Sequence, residues 1–253
     1  MTMQVPVDLA RMGFKLAEAK KPSRLMINVE AFQKTGKTSF IMTAPKPILY
    51  MNFDKSSEED MGGRLAGQPI FIKNYWPASS EQDACKKVID EYYSNYKDAL
   101  HTQSIRTISI DTGSELWEVK RMADFGKLTQ VMPIQYSKAN MWYRSLFNDA
   151  LQSDKNIIIT HKLKKEYMDN DWSGKYEAQG FSQVPYLVHV SVRLSREEKP
   201  PYLFRLSVNE CTQNALIKGM ELTSDPRDLA LNMVTFPWLA INVFPGTLLE
   251  DWA

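Results

Sequence analysis

The sequence predicts an α/β fold: a mostly parallel sheet with helices on both faces, followed by a C-terminal β extension. Three observations predict it. Short apolar, partly β-branched runs alternate with amphipathic segments of helical length through the first two-thirds of the chain. One such run, Arg24-Leu25-Met26-Ile27-Asn28-Val29, passes through a glycine-containing turn into a short helix. Three of the runs end in a titratable side chain (Asp54, Asp111 and His161), and ligands of open parallel sheets bind at the carboxyl ends of strands.

Composition sets the outer limits. The 253 residues suit an arm (1–24), one large domain (25–222) and a tail (223–253). With 43% hydrophobic and 24% charged residues, the chain reads as a soluble globular protein. Cys85 and Cys211 lie too far apart for a metal-ligand or redox motif, so a reducing cytoplasm is the expected setting. No apolar run approaches membrane-spanning length, and the N-terminus lacks a signal-peptide core. The net charge of +1 excludes a polycation, so any nucleic-acid contact must come from a local patch or an assembled oligomer.

The elements follow in order. Residues 7–20 carry Leu9, Met12, Phe14 and Leu16 among polar neighbours, as an amphipathic helix or a loosely attached arm would. Residues 38–44 form a short helix stopped near Pro45 and Pro47. Strands are expected at 47–54 and 69–72. Residues 79–100 read as a helix capped by Ser80, with Val88, Ile89, Tyr92, Tyr93 and Tyr96 on one face. A strand at 105–111 ends in Asp111, and a helix follows over 112–125. A further helix over 136–152 turns Met141, Trp142, Leu146, Phe147 and Leu151 inward. The run at 156–161 is the most strand-like of all. Two last strands, at 187–194 and 202–208, flank the charged turn at 195–200. The tail, with Trp238, Phe244, Pro245 and Trp252, fits no regular period and is expected to dock on a neighbouring subunit or partner.

The turn after the first strand carries the chemistry. In Ala31-Phe32-Gln33-Lys34-Thr35-Gly36-Lys37-Thr38-Ser39, Gly36, Lys37 and Thr38 satisfy the G-x-x-x-x-G-K-[ST] pattern, while Ala31 replaces its first glycine. Such a loop curls backbone N–H groups around a phosphate chain. Alanine is tolerable there if φ is negative. Lys37 would neutralise the outer phosphates and Thr38 would ligate Mg²⁺. Lys34 adds a second positive charge or points into water. Asp111 fits the metal-holding carboxylate; it could instead cap the helix that follows, a task open to Thr112 or Ser114. Asp54 is placed to orient or deprotonate an attacking water, with Glu58 and Glu59 as competitors and a solvated loop carboxylate as the plain alternative. His161 stands where a side chain could sense a γ-phosphate, or it is structural. Beyond it, Lys162, Lys164, Lys165, Tyr167, Trp172 and Lys175 interleave cations with aromatic rings, as single-strand-binding loops do. Glu166, Asp169 and Asp171 nearly cancel those lysines, which suits a β-hairpin with a solvated charged face and an Asp169-Asn170-Asp171 turn.

Taken in order, the loop 31–38, the strand ending at Asp54, the strand 108–111, the helix start Gln135-Tyr136-Ser137-Lys138-Ala139-Asn140, the pair Thr160-His161, and the strand 204–208 followed by 213–219 resemble phage-encoded RecA-like P-loop ATPases of single-strand annealing and recombination. The resemblance covers roughly residues 25–222. It implies a RecA-like P-loop NTPase core, ATP and Mg²⁺ as cofactors, and a homo-oligomer with ATP between subunits or at their edge. It also implies single-stranded DNA as partner beside a single-strand DNA-binding protein, with the loops after the Asp111 and His161 strands facing DNA, in the cytoplasm of the host cell. The chain departs from the family pattern at Ala31 and in lacking a strongly basic loop. Two other readings therefore stand beside a DNA-dependent ATPase: a nucleotide-binding assembly module with little hydrolysis, and a small-molecule kinase built on the same loop.

Overall fold

A computed structural model of the chain describes residues 7–13, 22–55, 66–127, 136–168, 171–200, 202–228 and 232–253. The expectations placed on Phe14, Leu16, Glu58, Glu59, Gln135, Asp169 and Asn170 lie outside these residues.

Nine strands form one sheet: β1 (Met26–Ala31), β2 (Ile48–Asn52), β3 (Ile70–Asn74), β4 (Thr107–Asp111), β5 (Asn156–Met168), β6 (Asp171–Ala178), β7 (Val190–Arg196), β8 (Phe204–Cys211) and β9 (Glu221–Ser224). Their order is β3-β2-β4-β5-β1-β7-β8-β9, with β6 paired to β5 alone. The pairs from β3 across to β7 are parallel, and β8, β9 and β6 add antiparallel. The expected mostly parallel sheet with a C-terminal β extension is therefore the observed one. β1 and β4 are buried along their whole length, as strands covered on both faces must be, and this is why they read as continuous apolar runs.

The helices are α1 (Val7–Arg11), α2 (Lys37–Ile41), α3 (Gln82–His101), α4 (Gly113–Phe125), α5 (Tyr136–Ala150) and α6 (Phe236–Val243). On one face, Ile108, Ile110, Ile157 and Ile159 pack with Tyr92, Tyr143 and Phe147 of α3 and α5. On the other face, Ile27, Val29, Ile158 and Val192 pack with Phe40 and Ile41 of α2 and Phe236, Leu239 and Val243 of α6.

Several local expectations are corrected. Ser80 does not cap α3; the N-cap is Glu81, with no side-chain cap bond, and Ser79 Oγ accepts from the Glu81 N–H. On α5 the buried face is Ala139, Tyr143, Leu146, Phe147 and Ala150, leaving Met141 and Leu151 exposed. β5 does not end at His161 but continues to Met168 as one arm of the hairpin with β6. Only Thr112 separates β4 from α4, so no DNA-facing loop follows Asp111 directly.

The tail is the largest correction. Thr235 caps α6 by accepting from Trp238 N–H, and the Phe236 N–H donates to Thr43 Oγ1 at 2.8 Å. Phe236, Leu239, Val243 and Trp252 are buried in the core beneath α2, and Phe244 stacks on Trp252 at 5.6 Å. Burying each such side chain contributes roughly 1.5–3 kcal/mol. The apolar residues that looked like a docking surface are covered by the chain itself; Trp238 stays partly exposed. Among the described residues, no helix is long and apolar enough to cross a membrane.

Candidate nucleotide-binding site

The loop lies between β1 and α2, at the carboxyl edge of the parallel strands. Ala31 is still in β1, in register with Lys162 on one side and Leu194 on the other, and it is fully buried. A strand residue needs no positive φ, so alanine fits where the pattern carries glycine. The left-handed conformations fall later, at Lys34 (φ 60°) and Gly36 (φ 95°). For Lys34 this conformation costs on the order of 1–2 kcal/mol. Gly36 is favoured by its φ, and a Cβ there would also stand a tight 3.2 Å from the Phe204 ring.

The loop closes on itself. Lys37 Nζ donates to the Phe32 carbonyl at 2.9 Å, and Thr35 Oγ1 donates to the same oxygen at 2.8 Å. Phe32, Gln33, Lys34 and Ser39 are exposed around this turn, while Thr35, Gly36, Lys37 and Thr38 are half-buried. Burial lowers the Lys37 pKa, and the charges of Asp111 and Asp54 work against that shift.

Beneath the loop sits a buried chain of oxygens. Tyr50 on β2 donates its hydroxyl proton to Asp111 Oδ2, and Thr160 on β5 donates to Asp111 Oδ1. Burial raises the Asp111 pKa, and the hydroxyls of Thr160 and Tyr50 and the charge of Lys37 pull it back. Asp111 is not the cap of α4: Thr112 Oγ1 accepts from the Glu115 N–H at 3.2 Å. Ser114 instead donates to the Gln179 carbonyl and accepts from the Lys162 N–H. Asp54 lies just past β2, its N–H bonded to Asn52 Oδ1 and to the Asp111 carbonyl.

His161 is not brought to this site. It points to the opposite face of the sheet, 1% exposed, with Nδ1 at 2.7 Å from Asn28 Oδ1 and Nε2 at 3.5 Å from the Tyr143 hydroxyl. Burial holds it neutral, with its pKa pushed down to about 3. The β5 side chain that reaches Asp111 is its neighbour Thr160. Sequence reasoning missed both Thr160 and Tyr50 as site residues. For Thr160 the available signal was a polar side chain at the end of its apolar run, one residue past the Ile110–Ile159 pair; Tyr50, mid-strand and in register with Ser109, gave none.

Among the described residues, no cluster of three His, Cys, Asp or Glu could hold a metal alone. The donors present, the Thr38 hydroxyl and the Asp111 carboxylate, are hard oxygens. They suit Mg²⁺, which takes one or two protein oxygens and completes its shell with phosphate oxygens and water. Beside the loop, a pocket of about 160 Å³ is lined by Gly36, Ser39 and Thr43, the Phe204 ring, and Asp225 and Asn232 from the tail. It offers an apolar ring wall with a polar rim.

The β5–β6 hairpin stands next to the loop. The Phe32 ring meets Tyr176 edge-on at 4.8 Å, and Tyr176 meets Trp172 at 6.1 Å. Tyr167, Trp172 and Lys175 are exposed, and Lys165 lies 5.0 Å above the Trp172 ring. Lys162 is ion-paired with Glu115 at 2.6 Å and Lys164 with Glu177 at 3.1 Å. The cationic set expected from sequence is thus partly neutralised.

No curated protein matches the chain. The model of the AAA domain family matches residues 24–218, about three-quarters of its length, from the strand before the loop through β8. That span holds the six parallel strands, the lysine and threonine of the loop, and the buried carboxylate beneath them. The chain belongs to the AAA domain family, as a P-loop ATPase-type domain.

Proposed function

We propose that the chain is a Mg²⁺-dependent ATPase stimulated by single-stranded DNA, acting as a homo-oligomer in phage recombination or single-strand annealing. The observation that carries the ATPase half is the position of the loop with Lys37 and Thr38, between β1 and α2, at the strand edge that holds Asp111, whose charge acts on Lys37. Lys37 exchanges the Phe32 carbonyl for the outer phosphate oxygens, where its charge opposes the charge developing in transfer. Thr38 supplies a hydroxyl oxygen and Asp111 a carboxylate to Mg²⁺, which when bound neutralises the phosphates during in-line displacement. Asp54, electrostatically coupled to Lys37 and Asp111, orients or deprotonates the attacking water. The pocket against Phe204 takes the nucleoside.

Support for the DNA half is the hairpin: Tyr167 and Trp172 offer faces for base stacking, and Lys165 and Lys175 offer charge to phosphates. A single-strand DNA-binding protein would share the strand. The deciding experiment is phosphate release with and without single-stranded DNA, beside a Lys37→Ala control. DNA should raise the rate and Lys37→Ala should abolish it; equal, negligible release in both arms removes the ATPase reading. A nucleotide-binding assembly module is the second reading, favoured by the ion pairs that take up Lys162 and Lys164. It predicts that ATP changes oligomer size without phosphate release.

A further inference from the structure

We infer that Arg196 is a phosphate-binding residue of the nucleotide site, adding a second cation to Lys37 from the end of β7. The inference rests on the reading of the loop as a nucleotide site. Strand β7 runs parallel to β1, with Leu194 level with Ala31, the last strand residue before the loop. Arg196 ends β7 two residues further on, past the strand edge from which the loop springs. Side chains two apart on a strand share a face. Val192 and Leu194 pack with Phe40 and Ile41 of α2. Arg196, next in that series, therefore emerges on the face where α2 and its loop lie.

Its cross-strand partner holds it there. Phe204 of β8 is in register with Arg196, and the guanidinium lies 5.3 Å from the Phe204 ring centre and 5.2 Å from that of Tyr202. The same Phe204 ring stands 3.2 Å from the place of a Gly36 Cβ, and it walls the pocket beside the loop. One ring thus neighbours both the guanidinium and the loop glycine.

The surrounding charges single Arg196 out. From β7 onward the other described arginines are paired: Arg193 with Glu30, Arg205 with Glu197 and Glu221, and Arg227 with Asp225. Among the described residues the Arg196 guanidinium meets only the two rings. A guanidinium stacked on rings keeps its fork of N–H donors for an oxyanion, and the stacking holds that fork in place beforehand. The backbone that presents the second ring is strained. Tyr202 (φ 59°) and Lys34 (φ 60°) are the two non-glycine residues with left-handed backbone among the described ones, and such strain gathers at ligand clamps. One of them lies in the loop and the other carries a ring under Arg196. Lys37 meets phosphate as a point charge, whereas Arg196 can take two oxygens at once. It holds the phosphate chain from the β7 side while Lys37 holds it from the loop.

The test is calorimetric titration of ATP into the full chain for the wild type, Arg196→Met and Arg196→Lys, beside thermal melts and single-stranded DNA binding. Arg196→Met keeps an apolar stem over the rings and removes the charge. Its ATP Kd should rise about tenfold, with DNA affinity within about twofold and the melting temperature within about 2 °C of wild type. Arg196→Lys, which keeps the charge without the fork, should lose only about threefold. Wild-type ATP affinity in Arg196→Met overturns the inference. So does an equal loss in both variants, which would make the effect one of shape rather than charge. A loss of DNA affinity with ATP affinity kept would assign the guanidinium to the DNA backbone instead and overturns it too. The side chain is exposed, so both variants should fold; if Arg196→Met does not, Arg196→Gln takes its place with the same outcomes. Failure of the underlying reading looks different: the wild type itself would bind no ATP.

Discussion

Two buried polar clusters lie back to back at the carboxyl edge of the same strands. On the loop face, Tyr50 and Thr160 donate to Asp111, whose charge acts on Lys37. On the opposite face, His161 bonds Asn28, Asn28 Nδ2 donates to Ser191 Oγ at 2.8 Å, and Glu30 accepts from Arg193 at 2.9 Å and Asn209 at 3.1 Å. The second cluster is knit by its own hydrogen bonds, though Glu30, Ser191, Arg193 and Asn209 also line a pocket of about 590 Å³. The first ends at a half-buried lysine that faces the loop mouth. Thr160 and His161 are adjacent in sequence, yet one belongs to each cluster, because successive side chains of a strand point to opposite faces. What separates a site from a structural network here is one residue of register.

The sharpest way to break this contrast is at Lys37. Lys37→Ala should weaken nucleotide binding by about 3 kcal/mol, on the order of 100-fold in Kd, because charge-assisted bonds to phosphate are lost. Its half-buried position should leave the melting temperature nearly unchanged. Calorimetric titration with ATP checks the first, and a thermal melt the second. A variant that binds ATP like the wild type would move the site away from this loop.

Asp111 should combine both effects. Asp111→Ala strands the buried hydroxyls of Tyr50 and Thr160, and each lost acceptor costs about 1–3 kcal/mol. Denaturant unfolding should show a loss of that order, together with a binding curve that no longer responds to Mg²⁺. Asp111→Asn keeps an acceptor oxygen and should recover much of the stability without the metal response. On the other face, Glu30→Gln should lower stability and leave the Mg²⁺ response intact. If it changed the metal response as much as Asp111→Asn does, the two clusters would not be separate.

His161 sharpens the comparison through pH. Its folded pKa is about 3, against 6.5 for the free side chain, so the unfolded chain binds the extra proton in between. Stability is then fully present above pH 6.5 and falls as pH drops toward 3, by up to about 1.4 kcal/mol per pH unit. His189, pushed down to about 4 by burial, adds a similar loss between 6.5 and 4. His161→Gln should flatten its share of that slope in acid unfolding curves. Between pH 6 and 8 the imidazole stays neutral, so nucleotide affinity in that range should match the wild type. A tenfold change in affinity with the fold intact would restore His161 to the site.

These residues also show what could be read without a structure. The order of elements, the loop and Asp111 were legible because each rests on a local pattern: an apolar run, a glycine, a carboxylate at a strand end. The choice of His161 over Thr160 was not, because it depends on which β5 side chains share the sheet face of Asp111, and that is fixed by the non-local register of β5 against β4. Tyr50 was hidden for the same reason, as a lone hydroxyl inside an apolar strand reads as core. The tail misled by its lack of period: α6 is too short to show one, and its apolar residues cover the core beneath α2. At Ala31 a one-letter mismatch looked like a defect, whereas the backbone there is an ordinary strand.

The smallest expected effect links the loop face to the hairpin. The Phe32 carbonyl holds Lys37 and Thr35, and its ring rests on Tyr176, so a phosphate that draws Lys37 away frees the residue that touches the hairpin. An edge-on ring pair contributes about 0.5–1.5 kcal/mol, and less where it is half-exposed, so Phe32→Ala should lower stability only slightly. The signal to follow is Trp172, next in the stack after Tyr176. ATP should alter tryptophan emission in the wild type, and the Trp172→Phe variant identifies that residue's share among the six tryptophans. In Phe32→Ala the Trp172 response should vanish, with ATP affinity within about threefold of wild type, under about 0.7 kcal/mol, since Lys37 is held by the Phe32 backbone carbonyl, which the variant keeps. If the response survives, the connection runs through Arg193, whose guanidinium bonds both Glu30, the residue before Ala31, and the Tyr176 carbonyl at 3.0 Å. Arg193→Met would then silence Trp172 where Phe32→Ala does not, and the cluster behind the sheet would be the one that reports on the nucleotide.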